Sequence, residues 1–200
     1  AIWADSSTVN PSFSRRAAEA AQRADVRFMD APVAGTLPHA EKAELTFFVG
    51  ASEELLAEVE PYMDMMSRKV LRIGETGMGA SFKMLVNAML AQSMVVFSET
   101  VLLGEKMGLS RDFLLKVLPK LVVAAPFTQF KAEMIRDGEY EVQFPLEFMH
   151  KDLNLAATTA YELNQPLYLA NLAKELFAEA NKKGLGRLDF AAIHKYLEER

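Results

Sequence analysis

Up to about Gly74 the chain alternates short apolar runs with stretches of helical spacing. Ile2–Ala4 leads into Asp5-Ser6-Ser7-Thr8, Val26–Met29 into Asp30-Ala31-Pro32-Val33, Leu45–Val49 into Gly50, and Val70–Ile73 into Gly74. Each run is short, rich in Val, Ile, Phe or Leu, and closed by a turn residue, a pattern that predicts strands. Between the first two, Phe13, Ala17, Ala20, Ala21 and Ala24 recur at helical intervals behind Pro11. Ser52 precedes Glu53-Glu54-Leu55-Leu56-Ala57-Glu58-Val59, an N-cap followed by acids that suit the positive end of a helix. This alternation predicts part of a layered α/β sheet. With four strands and two helices, one face of such a sheet lacks cover.

From Gly77 onward the strand signal disappears. Gly77-Met78-Gly79 opens a helical pattern that persists to about Met107, where Gly108 closes it. Its middle is apolar almost all round, so it is expected to be buried in a bundle or an interface. Shorter helices are expected from Ser110 to Leu118, Phe127 to Asp137, Leu146 to Leu163, Pro166 to Lys183 and Asp189 to Glu198. The boundary near Gly74–Gly79 divides the chain into residues 1–76 and 77–200.

Composition narrows the class. Half of the 200 residues are apolar and 24% are charged, the balance of a globular domain rather than a disordered chain. The longest nearly apolar stretch, Met84 to Phe97, is broken by Asn87, Gln92 and Ser93 and falls short of the about 20 residues a membrane span needs. The net charge of −5, with scattered Lys and Arg, argues against a nucleic-acid partner. Zero cysteines exclude disulfides, thiolate metal sites and cysteine nucleophiles, and fit a cytoplasmic protein. The chain opens directly on a strand, Ala-Ile-Trp-Ala-Asp, with no basic-then-apolar leader. It reads as the continuation of a longer chain.

Four segments could carry chemistry. Asp5-Ser6-Ser7-Thr8-Val9-Asn10-Pro11 follows a strand, and ligands in open α/β sheets bind beyond strand C-termini. Its hydroxyls could equally serve as an N-cap before Pro11. Asp30 to Thr36 also follows a strand, with Gly35 removing a side chain where backbone N–H groups could hold a carboxylate, or where the chain simply turns. Lys83 and Asn87 stand at i and i+4 on one helix face in an apolar stretch. There a desolvated ammonium could exchange a proton with a substrate oxygen, or the pair could be a snorkelling lysine beside a packing asparagine. His150-Lys151-Asp152, just after Phe144-Pro145, reads by itself as a solvated helix face. His39 and His194 read as solitary surface residues, and the three histidines lack the spacing of a metal site.

Taken together these segments resemble the β-hydroxyacid dehydrogenase family, in order and spacing. The matching residues are Ser7-Thr8-x-x-Pro11, Asp30-Ala31-Pro32-Val33-x-Gly35, Gly77-x-Gly79-x-x-x-Lys83-x-x-x-Asn87 and Lys151-Asp152-Leu153-x-Leu155-Ala156. Met84, Val86, Met89, Phe97-Ser98-Glu99, Phe144-Pro145-Leu146 and Gly184-Leu185-Gly186-x-x-Asp189-Phe190 lean toward its glyoxylate/succinic semialdehyde reductase branch. The resemblance implies an α/β partial Rossmann sheet, second half only, followed by a long interdomain helix and an all-α C-terminal domain. It implies NAD or NADP as cofactor and a small carboxylate-bearing aldehyde, 2-oxo acid or hydroxy acid as substrate. Lys83 would be the catalytic acid/base and Asn87 would hold the substrate. The Ala34-Gly35-Thr36 turn would cradle its carboxylate, with Phe144 and Asp152 lining the same cleft. Ser7, Thr8 and Lys151 would face the cofactor. The apolar helix and 11 methionines point to a homodimer or a higher even oligomer.

The sequence departs from the family in two ways. Ala34 stands where the family usually has Ser, removing a hydroxyl whose hydrogen bond to a carboxylate is worth about 1.5–3 kcal/mol. The first βαβαβ half, which carries the Gly-rich phosphate loop, does not precede these motifs, so the chain by itself is expected to be inactive. A non-catalytic oligomerisation or scaffold module is the alternative; Lys83 with Asn87 argues for the enzyme and Ala34 for the scaffold.

Overall fold

The computed structural model describes residues 1–200. It is a mixed α/β fold with one small sheet and many helices. The sheet contains β1 (Ile2–Asp5), β2 (Arg27–Asp30), β3 (Val33–Ala34), β4 (Leu45–Gly50) and β5 (Ser67–Gly74). Strand β1 runs parallel to β2, which meets β4 antiparallel at Asp30 and Gly50. Strand β3 continues that antiparallel pairing, with Val33 opposite Phe47 and Ala34 opposite Thr46, and β5 flanks β4 in parallel. Helices α1 (Pro11–Arg23), α2 (Leu37–Glu41) and α3 (Glu53–Asp64) connect the strands. All later elements are helical: α4 (Met78–Lys106), α5 (Arg111–Val117), α6 (Thr128–Asp137), α7 (Leu146–Glu162), α8 (Tyr168–Ala180) and α9 (Ile193–Glu198).

The helix ends follow local chemistry. Asn10 accepts from the Phe13 N–H, Ser52 from Leu55 and Ser110 from Phe113, each satisfying one orphan donor of a first turn. Gly138 ends α6 in the left-handed conformation. Strand β3 and helix α2 were not expected. They are too short to show a period, and α2 buries none of its residues. Strand β5 begins earlier than Val70 because backbone pairing with β4 carries the polar Ser67-Arg68-Lys69 along.

Two compact units emerge. The first comprises Ala1–Asn87 and Asn154–Pro166, and the second Ala88–Leu153 and Leu167–Arg200. In the first, Met29, Ala31, Phe47, Val49, Leu55, Leu56 and Met63 form the main core on the α3 side of the sheet, and Ala17, Ala21 and Phe28 pack as a smaller cluster under α1. In the second, Met94, Phe97, Val101, Leu115, Ile135, Leu146, Met149, Phe177, Phe190 and Ile193 share one larger core.

Helix α4 differs from the expectation that it is buried all round. Ala80, Met84, Asn87, Ala91, Met94, Ser98 and Val101 form a buried row. Leu85, Met89, Val96 and Leu103 remain about 60–70% exposed, on positions that share the opposite stripe of a 3.6-residue helix. The helix also extends well past the Met84–Phe97 stretch. By length and composition it reaches what a membrane span needs, a property that core helices share.

Candidate active site

In the first unit the C-terminal ends of β1 and β2 lie side by side, with Asp5 paired to Asp30. The Ala31 N–H donates to the Asp5 carbonyl at 2.7 Å. This register makes the Ser7-Thr8 loop and the Asp30-to-Thr36 segment leave the sheet from adjacent strand ends. Asp5 is buried, and its Oδ1 accepts from the Ser7 hydroxyl at 2.8 Å and the Ser7 N–H at 3.4 Å. The Ser7 hydroxyl therefore serves its own turn, in the manner of an Asx motif. The other Asp5 oxygen, Oδ2, is buried with no partner. An orphaned acceptor at a strand C-terminus suits a ligand that brings a hydroxyl or amide N–H, groups that a dinucleotide carries. Thr8 stands half-buried on the same loop.

Asp30 ties this corner to α4. One carboxylate oxygen accepts the Gly77 N–H at 2.5 Å and the other the Ala80 N–H at 2.7 Å. Two orphan donors of the α4 start are thereby satisfied from a neighbouring strand. Burial pushes the Asp30 carboxyl above its ordinary pKa, opposed by those backbone N–H groups. Gly79 permits the contact, since a Cβ there would land on the Phe48 carbonyl oxygen and 2.9 Å from the Gly50 nitrogen. One turn on, Phe82 meets Phe48 edge to face at 4.9 Å, so the turn of α4 that carries Lys83 lies against the strand paired with Val33–Ala34. Lys83 is half-buried and Asn87 is 2% exposed.

Ala34 and Gly35 line an open cleft of about 460 Å³ with His39, Glu44, Thr46, Arg68 and Lys69. Gly35 has φ +128°, and a Cβ there would press on Leu45 and His39. The Thr36 N–H donates to His39 Nδ1 at 3.2 Å, with the Thr36 hydroxyl at the same distance. Thr36 thus opens α2 as a cap, which engages the hydroxyl that could have replaced the missing serine.

The second unit holds Phe144, Lys151 and Asp152. Phe144 is half-buried and its ring lies 6.0 Å from that of Phe190. Asp152 is 3% exposed and Lys151 exposed; Lys151 Nζ lies 2.7 Å from Asp152 Oδ1. This pair is therefore not a wholly solvated face.

One expectation fails outright. His194 is not a surface residue but 0% exposed. Burial, reinforced by the neighbouring Arg111 guanidinium, lowers its pKa to about 4. Arg111 Nη2 is 3.3 Å from His194 Nε2, and its Nη1 is 2.5 Å from Glu198 and 3.6 Å from Glu105. Ligand atoms of Glu105, His194 and Glu198 lie within 4.8 Å of one another, and Arg111 already supplies positive charge to that cluster. No sequence spacing announced it, because its members come from α4, α5 and α9. The buried Lys131–Asp189 pair, 2.9 Å apart, was equally invisible. Lys131 sits in the polar-looking run Gln129-Phe130-Lys131-Ala132-Glu133, and Asp189 reads as a helix start and as part of the run ending Asp189-Phe190, with nothing to name its partner.

A mixed α/β protein with a polar corner at its strand ends is of the class that binds a ligand there. Comparison with known proteins agrees. Residues 1–74 match the family described as the NAD binding domain of 6-phosphogluconate dehydrogenase. Residues 77–197 match the family described as NAD-binding of NADP-dependent 3-hydroxyisobutyrate dehydrogenase. The chain belongs to the β-hydroxyacid dehydrogenase family.

Among similar proteins, 2-(hydroxymethyl)glutarate dehydrogenase of Eubacterium barkeri is 32% identical over 99% of this chain and 66% of its own length. The chloroplastic glyoxylate/succinic semialdehyde reductase 2 of Arabidopsis thaliana is 31% identical over 98% of this chain and 55% of its own length. The solved 3-hydroxyisobutyrate dehydrogenase of Mycobacterium tuberculosis with L-serine superposes with a TM-score of 0.88 at 26% identity, covering 98% of this chain and 69% of that one. The chain spans 55–66% of the length of curated relatives that it matches.

Proposed function

We propose that this chain is the catalytic-helix portion of an NAD(P)-dependent oxidoreductase that reduces a small aldehyde or 2-oxo acid, such as glyoxylate or succinic semialdehyde, or oxidises a 3-hydroxy acid. Residues 1–76 would be the second half of a Rossmann-type domain and residues 77–200 the helical domain. The observation that carries this reading is the start of α4. Asp30 fixes it at the strand ends through Gly77 and Ala80, and Lys83 and Asn87 follow one helical turn apart.

When bound, a reduced nicotinamide supplies the hydride to the carbonyl carbon. The Lys83 ammonium gives its proton to the carbonyl oxygen as that oxygen gains charge, and takes one back in the oxidation direction. The Asn87 carboxamide orients the same oxygen. Asp5 and Thr8 would hold the cofactor at its nicotinamide end, with Lys151 beside it. The Ala34-Gly35-Thr36 turn would take the substrate carboxylate through backbone N–H groups, the Thr36 hydroxyl being shared with His39. Phe144 and Asp152 would complete the substrate's surroundings. Met89, Val96 and Leu103, exposed at seven-residue spacing on α4, support a homodimer or higher even oligomer, because that spacing lets two helices interlock.

Lys83→Met in the full-length protein is expected to lower turnover of glyoxylate or succinic semialdehyde with NADPH by about 10²–10⁴-fold. Unchanged turnover would remove Lys83 from the chemistry, and absence of turnover in the unaltered protein would favour the scaffold. The 200-residue chain alone is expected to bind NADPH weakly or not at all; micromolar affinity in a fluorescence titration would contradict that.

A further inference from the structure

Phe144 hangs on an irregular segment ahead of α7, and the segment from Gly186 to Ala191 grips it. Leu146 N–H donates to the Leu188 carbonyl at 2.9 Å, Glu147 N–H to Gly186 at 3.0 Å, Phe190 N–H to Phe144 at 2.9 Å and Asp189 N–H to Tyr140 at 3.1 Å. At the centre lies the Asp189 carboxylate, 0% exposed. Its Oδ2 accepts the N–H groups of both Gln143 and Phe144 at 3.1 Å, and its Oδ1 accepts that of Ala191 at 3.0 Å.

Lys131, 4% exposed on α6, places Nζ 2.9 Å from Asp189 Oδ1, 3.3 Å from Gln143 Oε1 and 4.9 Å over the Phe190 ring. Phe190 in turn meets the Phe144 ring. An ion pair enclosed like this carries a desolvation cost on both partners, and packed apolar side chains would stabilise the fold at least as well. What the charges add is direction. The two carboxylate oxygens have separate backbone clients, and the ammonium fixes the rotation of the carboxylate that serves them.

We infer that Lys131 and Asp189 are positioning residues, whose buried ion pair sets the place of Phe144 and through it the fit of the substrate. This rests on the reading of Phe144 as a residue beside the substrate. Neither charge touches the reacting atoms; both act through the Gln143–Phe144 backbone and the Phe190 ring.

The test begins with amide hydrogen exchange in the full-length protein, using Phe177 in α8 as the internal measure of global stability. In Lys131→Met, Gln143 and Phe144 are expected to exchange at least about tenfold faster relative to Phe177 than in the unaltered protein, with Lys131→Arg recovering most of the protection. An unchanged ratio, or Arg performing no better than Met, overturns the inference. The double variant Lys131→Met/Asp189→Asn leaves no lone buried charge and serves if the single variant does not fold. Its Asn offers one acceptor oxygen for three N–H groups, so the same rise in the ratio is expected and an unchanged ratio again overturns the inference.

In turnover of glyoxylate with NADPH, Lys131→Met should raise KM about tenfold with kcat within about threefold of the unaltered value. A fall in kcat at constant KM overturns the inference. If the unaltered protein shows no turnover, the dehydrogenase reading is what fails, and the exchange ratio still decides whether the ion pair holds Phe144.

Discussion

Asp30 in the first unit and Asp189 in the second are 1% and 0% exposed, and each accepts backbone N–H groups with both carboxylate oxygens: Asp30 from the α4 start with both, Asp189 from the Gln143–Phe144 segment with Oδ2 and from its own Ala191 with Oδ1. Their company differs. Asp30 faces the start of a long helix, whose unsatisfied N–H groups carry only partial positive charge. Asp189 has a full ammonium, Lys131, at 2.9 Å. The comparison teaches that a buried carboxylate can anchor a segment with or without a counter-ion, and that the two cases fail differently. Where the partner is a helix end, removing the acid's charge leaves only dipoles behind. Where the partner is a lysine, it leaves a stranded cation.

The largest effect should therefore come from Asp189→Asn, which leaves Lys131 enclosed without its counter-charge. Loss of about 3–5 kcal/mol in urea unfolding of the second unit is expected. A loss below that of Asp30→Asn would break the contrast.

His194 sharpens it from the other side. Asp189 has a cation for a partner, whereas His194 is buried beside one, and burial together with Arg111 favours its neutral imidazole. The folded pKa of about 4 lies below the ordinary 6.5, so the unfolded chain binds the extra proton first. Stability is complete above about pH 6.5 and lost as pH falls toward 4, by about 3 kcal/mol. His194→Gln should unfold without that component in pH-dependent denaturation; an unchanged slope would assign the acid sensitivity elsewhere.

The smallest effect belongs to Asp30→Asn. One N–H loses its acceptor, offset by the end of carboxylate desolvation, for a net cost of about 1–2 kcal/mol. The raised folded pKa of Asp30 means its contribution is present at acid pH and declines as pH rises through that folded pKa. The cost of the substitution should shrink in the same direction, and a cost that grows with pH would show that the ionised form is the stabilising one.

Much of the fold was legible because it is written in local periods. The β1, β2 and β4 runs, the Ser52 and Ser110 caps, the Gly138 stop and the length of α4 all follow from alternation, 3.6-residue spacing and turn chemistry. Strand β3 and helix α2 were illegible because so few residues show no period. The α4 pattern announced apolarity but not its partition into a buried and an exposed stripe. That division depends on which neighbours cover which side.

The sequence by itself determined the ordered motifs: Ser7-Thr8, the Asp30-to-Gly35 run, Lys83 with Asn87, and Lys151-Asp152. It also determined their likeness to one family, since residue order and spacing along a chain need no folding to be read. Only the tertiary structure decided that Asp30 anchors the α4 start, that the Ser7 and Thr36 hydroxyls are engaged at home, that His194 is enclosed, and that Lys131 meets Asp189. Those facts join residues far apart in sequence. Charge, burial and hydrogen-bond partnership belong to positions in space, and a linear pattern carries no record of which distant segment fills the space beside a side chain.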